Sequence, residues 1–207
     1  DVPSLQFPPG KDLMQVFWCP FMTGTNAPEP SVFWRNSAEV RSPRRSPPDQ
    51  SPDAEGSFTP TPSRLYPEVV TDYPAADEVL ENEALQMAVA AWAKNWPPPG
   101  SWYDYWWNRC TGWKVGGYPW VNQSDCFRVE VDGQPMEYLL QVSQCELNHS
   151  NWRWCPVEDR NLCFRGASRA TYREGGGLDL LARGNYHLLI DRSKSPWFIR
   201  SVHDSVG

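Results

Sequence analysis

The side chains best able to do chemistry in this chain lie in five places, and most of the five are incomplete. A nucleophilic triad needs a histidine beside a serine or cysteine. The three histidines, His149, His187 and His203, all lie away from any G-x-S-x-G elbow. Cys145 and His149 are close in sequence, but Cys–His pairs are assembled by folding and not by sequence nearness. Cys145, His149, Cys155 and Cys163 supply four zinc-type ligands within 19 residues, yet no C-x2-C knuckle occurs. Gly116-Gly117 and Gly175-Gly176-Gly177 are glycine runs without the lysine, serine or strand–helix context of a phosphate loop. Glu158 and Asp159 form an acidic pair after Trp152, Trp154 and Pro156. Two carboxylates serve as acid and base when their environments separate their pKa values, but adjacent residues rarely face one pocket. No catalytic residue, metal ligand or cofactor is therefore assigned from the sequence.

The fifth place is aromatic. Trp102, Tyr103, Tyr105, Trp106, Trp107, Trp113, Tyr118 and Trp120 crowd 19 residues of a chain that holds 12 Trp in all. Indole rings are large and their N–H groups want partners, so such a run makes either a core with a stiff rim or a surface for a ligand or partner. Trp106, Trp113, Lys114, Tyr118, Trp120, Gln123, Trp154, Glu158 and Asp159 are the candidate ligand- or partner-binding residues. Gly116, Gly117 and Pro119 are the turn that shapes them, with glycine admitting positive φ and proline fixing the exit direction.

The elements that must position these residues follow from pattern. At 207 residues, one domain is the default. Residues 13–21, LMQVFWCPF, read as a buried strand, and SVFWR at 31–35 as its partner across turn chemistry. Residues 41–64 hold six prolines and almost nothing apolar, which predicts a mobile Pro/Ser-rich insertion. A helix is expected over 75–95. Leu80, Ala84, Met87, Ala91 and Asn95 mark its stripe, acids crowd its start, and Pro97-Pro98-Pro99-Gly100 stops it. FRVEV at 127–131 and EYLLQVS at 137–143 read as a hairpin around Asp132-Gly133, and YHLLID at 186–191 with WFIRSV at 197–202 as a second pair. The expected fold is one α+β domain, residues 1–207, with a mixed or mainly antiparallel sheet, one principal helix and long loops.

Composition narrows the function classes. Hydrophobic residues are 40%, charged residues 21% and the net charge is −6. That balance lacks the basic footprint of a nucleic-acid binder. No run approaches the 18 apolar residues of a membrane helix, so no membrane partner is expected. The six cysteines sit among core-like residues of a chain long enough to need no staples, which favours reduced thiols and a cytoplasmic location.

The segments GWKVGGYPWVNQ, MEYLLQV and WRWCPVEDR, together with LQFPPGKDLMQVFWCP, VFWR and YPEVVTDYP, resemble the YwqG-like bacterial family of unknown function, in its actinobacterial-type branch. The family motif falls on Lys114, Gly116, Gly117, Pro119, Trp120 and Gln123. The resemblance implies a strand-rich domain and a place near toxin–immunity systems. It also implies a cysteine-rich knuckle before the leucine strand, whereas DCFRVEVDGQPM holds only Cys126, so zinc is not expected. The resulting expectation is a non-catalytic intracellular binding protein, an immunity-type or regulatory module whose partner is a toxin or regulatory protein. The alternative is a small-ligand-binding protein or hydrolase with an aromatic-walled cleft.

Overall fold

Alternation of side chains along a strand decides which residues meet in the core. In the computed structural model, which describes residues 5–19, 30–42, 67–72, 82–95, 112–121, 130–143 and 184–205, the first two strands show this directly. Strand β1 (Leu13–Trp18) pairs antiparallel with β2 (Pro30–Arg35), setting Met14 opposite Trp34 and Val16 opposite Val32. These residues and Trp18 point inward, while Gln15, Phe17, Ser31, Phe33 and Arg35 occupy the other face. The Asp12 carboxylate fastens the open end of the hairpin. It accepts from the backbone N–H and the hydroxyl of Ser37, each at 2.6 Å, and these bonds hold its pKa below the usual carboxylate value.

The main sheet has four antiparallel strands in the order β3 (Lys114–Val115), β6 (Glu137–Ser143), β7 (Gly184–Asp191), β8 (Phe198–Ser205). One face is apolar. Leu139, Leu140, Val142, Leu188 and Ile190 are buried there, packed by Met14, Val16, Trp18, Val32 and Trp34 from the hairpin and by Trp113, Val115 and Ile199. Each fully buried aliphatic side chain contributes roughly 1.5–3 kcal/mol. The register is shifted between Tyr138 and Leu140, which leaves Leu139 as the extra residue of a bulge and lets consecutive leucines both be buried. Trp197, in the β7–β8 connection, meets Trp34 edge-on at 5.4 Å and lies under the Arg192 guanidinium at 5.1 Å.

Among the described residues the structure is the expected α+β arrangement of antiparallel sheets with one principal helix, and it differs from the sequence expectation in three details. The helix α1 is Glu83–Asn95. Asn82 caps it, its side chain accepting from the Leu85 N–H at 3.1 Å, so the helix starts later than the acid-rich stretch at 77–83 implies. Ala84, Met87 and Ala91 of the expected core stripe are exposed, Met87 by 69%, while Leu85 and Val89 are half-buried. DGQPM is long enough to predict a loop of more than two residues, but Asp132-Gly133, with φ of 55° and 72°, forms a two-residue turn. It joins β4 (Glu130–Val131) to β5 (Gln134–Pro135), however, and β6 pairs with β3 and β7 instead. The body of the Pro/Ser-rich insertion (43–64) and five of the six cysteines lie outside the described residues; Cys19 is a free thiol. Among the described residues, no helix is long and apolar enough to cross a membrane.

Candidate functional site

Opposite the apolar face, the main sheet carries a buried polar array. The register sets Lys114 beside Gln141 and His187 in one row, and Ser143 beside Asn185 and Asp204 in another. Gln141, Ser143, Asn185, His187 and Asp204 are each at most 2% exposed. Buried polar groups of this kind are costly unless bonded, so their partners reveal what they are for.

Gln141 and Asn185 hold the segment 112–121. Gln141 Nε2 donates to the Gly112 carbonyl at 2.9 Å, and its Oε1 accepts from the Trp120 N–H at 3.0 Å and the Tyr138 hydroxyl at 3.3 Å. Asn185 Nδ2 donates to the Trp120 carbonyl at 3.1 Å. Two side-chain amides thus satisfy both ends of a loop that has only two residues in ladder pairing. Trp113 adds a bond from its Nε1 to the Ser143 carbonyl at 3.2 Å while its ring packs on the apolar core.

Between those ends the chain turns through Gly116 and Gly117, at φ of 70° and 75°. Asp72, which is 42 residues upstream of Lys114, docks into this turn. Its Oδ2 accepts from Lys114 Nζ at 2.8 Å and from the Tyr118 N–H at 2.9 Å. Both side chains of the ion pair are 9% exposed. A Cβ on Gly117 would stand 2.5 Å from Asp72 Oδ2, whereas one on Gly116 would meet nothing within 4 Å. Gly117 is therefore glycine for two reasons, backbone conformation and the carboxylate that lies against it.

His187 is neutral in this setting. Burial, then the nearby Lys114 and His203 charges, hold His187 down to a pKa of about 3, so the imidazole is neutral near pH 7. Burial also lowers His203, with Asp204 opposing. The Tyr138 ring lies 6.1 Å from His187 and 6.0 Å from Lys114 Nζ. Among the described residues, no group of three or more His, Cys, Asp and Glu is placed to hold a metal ion.

Of the sequence-predicted site residues, Trp113, Lys114, Tyr118 and Trp120 come together with Gly116, Gly117 and Pro119 in this clamped turn. Trp106, Gln123, Trp154, Glu158 and Asp159 lie outside the described residues. The expected tryptophan-rich wall is corrected. Among the described residues, Trp113, Tyr118 and Trp120 make no ring–ring pair. The phenyl and indole ring pairs instead join Phe7 with Trp34, Trp34 with Trp197, and Phe17 with Phe33, while Tyr138 and Tyr186 lie near His187 and His203.

Reading 13–21 as a buried strand and 31–35 as its partner does not mark Phe17 and Phe33 as surface residues. They stand on the outer face of the β1–β2 hairpin, 53% and 44% exposed, edge to face at 5.7 Å. Arg35 lies 5.5 Å from the Phe33 ring centre and donates to Gln15 Oε1 at 2.6 Å. Period-two alternation in QVFW and SVFW is the signal that points these two rings outward.

No family model matches the chain, nor does any curated protein or solved structure. The resemblance to the YwqG-like family is corrected accordingly, and the bacterial toxin–immunity setting that came with it is dropped.

Proposed function

We propose that this domain is a non-catalytic protein-binding module that engages its partner through the outer face of the β1–β2 hairpin. The observation that carries this is the exposed Phe17–Phe33 pair with Arg35 stacked beside it. An antiparallel hairpin with one face in the core ordinarily presents polar residues on the other. Aromatic side chains and arginine are the residues enriched at the centres of protein interfaces, where a few of them supply most of the binding energy. The strand ladder sets the two rings edge to face, and the Arg35–Gln15 bond holds the guanidinium, which lowers the cost of ordering on contact.

The test is affinity capture from extracts of the source cells with the full chain and with Phe17→Ser/Phe33→Ser. The expected result is a protein retained by the wild type and lost with the double variant, at unchanged thermal stability. Identical recovery on both chains, or recovery of nothing by either, overturns the proposal.

A further inference from the structure

The turn that holds Asp72 is built as an anion site whose occupant arrives from elsewhere in the chain. Successive positive φ angles at Gly116 and Gly117 and the inward N–H of Tyr118 form a concave backbone, a geometry that receives anions. Lys114 supplies the positive charge from a side chain only 9% exposed, and the absent Cβ at Gly117 supplies the space for the oxygen. The turn is itself fixed by Gln141, by Asn185 and by the Gly116 N–H to Leu139 carbonyl bond at 3.0 Å. None of those three bonds involves Asp72.

The segment that delivers the carboxylate is held quite differently. Residues 67–71 are all exposed and form no helix or strand, and Val69 and Val70 stand 85% and 47% exposed. Among the described residues of this segment little apolar surface is buried, and the Asp72 carboxylate links it to the turn. Segments with exposed backbone and few apolar contacts open at low free energy.

From this contrast the geometry points to a carboxylate-binding site at Lys114–Tyr118, for which Asp72 is a displaceable in-cis ligand that an external carboxylate replaces. The ligand class is a carboxylate on an unhindered, extended carrier, as Asp72 itself is. The site lies on the polar side of the main sheet and is independent of the hairpin proposal.

The experiment uses the full-length Asp72→Ala chain, 15N-labelled, with the Tyr118 amide as reporter. Acetate and a Pro67–Asp72 peptide are titrated separately, against sodium chloride at matched ionic strength. The expected result is a saturable displacement of the Tyr118 resonance, with acetate half-saturating on the order of 10 mM. The peptide acts at lower concentration, and Lys114→Met in the same background weakens both at least about tenfold. In the wild type, acetate requires at least about tenfold more, because Asp72 competes. A Tyr118 response equal to the chloride control, or one indifferent to Lys114→Met, overturns the proposal. Should Asp72→Ala not fold alone, recovery of its folded spectrum by acetate and not by chloride supports the site, and no recovery overturns it. Neither result bears on Phe17 or Phe33, so the two proposals fail separately.

Discussion

The clamped turn at 112–121 and the outer face of the β1–β2 hairpin spend their side chains in opposite directions. The turn is rich in groups that could recognise or react, and it directs them inward: Lys114 to Asp72, and the Trp120 backbone to Gln141 and Asn185. The hairpin has a plain sequence and leaves two phenyl rings and a guanidinium facing outward. A conspicuous motif can therefore be conspicuous because the fold depends on it. An inconspicuous alternation can set out a binding surface.

Substitutions in the turn should be costly to the fold, and the largest effect is expected at Gly117. Gly117→Ala combines a left-handed backbone with displacement of Asp72 from a buried ion pair, and should cost about 4 kcal/mol. Gly116→Ala has nearly the same φ and open space around it, so about 1 kcal/mol is expected. Urea denaturation of both separates the carboxylate contact from backbone strain, and equal losses would remove Asp72 from the account.

Gln141→Ala comes next, at about 3 kcal/mol, since it strands the Gly112 carbonyl and the Trp120 N–H. The Trp120 amide should lose its exchange protection in that variant. If protection survives, the side-chain clamp is not what holds the segment.

The polar array should also give the fold a characteristic acid response. His187 has a folded pKa of about 3 against an ordinary 6.5, so between those values the unfolded chain binds a proton that the folded chain does not. Its contribution is complete above about pH 6.5 and is lost as pH falls toward 3. The expected slope is about 1.4 kcal/mol per pH unit, or roughly 2 kcal/mol between pH 6 and 4.5. His187→Gln should flatten that part of the stability curve. An unchanged slope would assign it to the carboxylates.

The hairpin face should show the smallest effect on stability. Phe17→Ser/Phe33→Ser is expected to cost about 1 kcal/mol or less, because the rings are exposed and contribute mainly their mutual contact. A loss near that of Gly117→Ala would make the pair structural and end its distinction from the turn.

Much of this architecture was legible in the sequence, and the gaps have physical reasons. The β1–β2 pair and the two strands around the 192–197 connection are short apolar runs bounded by turn residues, and they appear near the expected positions. Asp132-Gly133 announced a tight turn, but the strand after it is only two residues long, so its long neighbour β6 was free to pair elsewhere. The helix start was obscured because acids favour an N-terminus without specifying a cap, and Asn82 provides the cap. The glycines of the turn were readable as a conformational need. Their occupant was not, since nothing local links Asp72 to a lysine 42 residues away. The half-buried side chains Leu85 and Val89 lie on the side of the helix opposite Met87, because a helix rich in alanine gives a weak amphipathic signal.

The most direct test compares the two regions on one captured partner, by measuring its Kd for the wild type, Phe17→Ser/Phe33→Ser and Tyr118→Ala. Binding at least about 30-fold weaker is expected for the hairpin variant, with a change of less than about threefold for Tyr118→Ala. The reverse pattern, with Tyr118→Ala losing the partner and the hairpin variant keeping it, would contradict the account and return recognition to the turn.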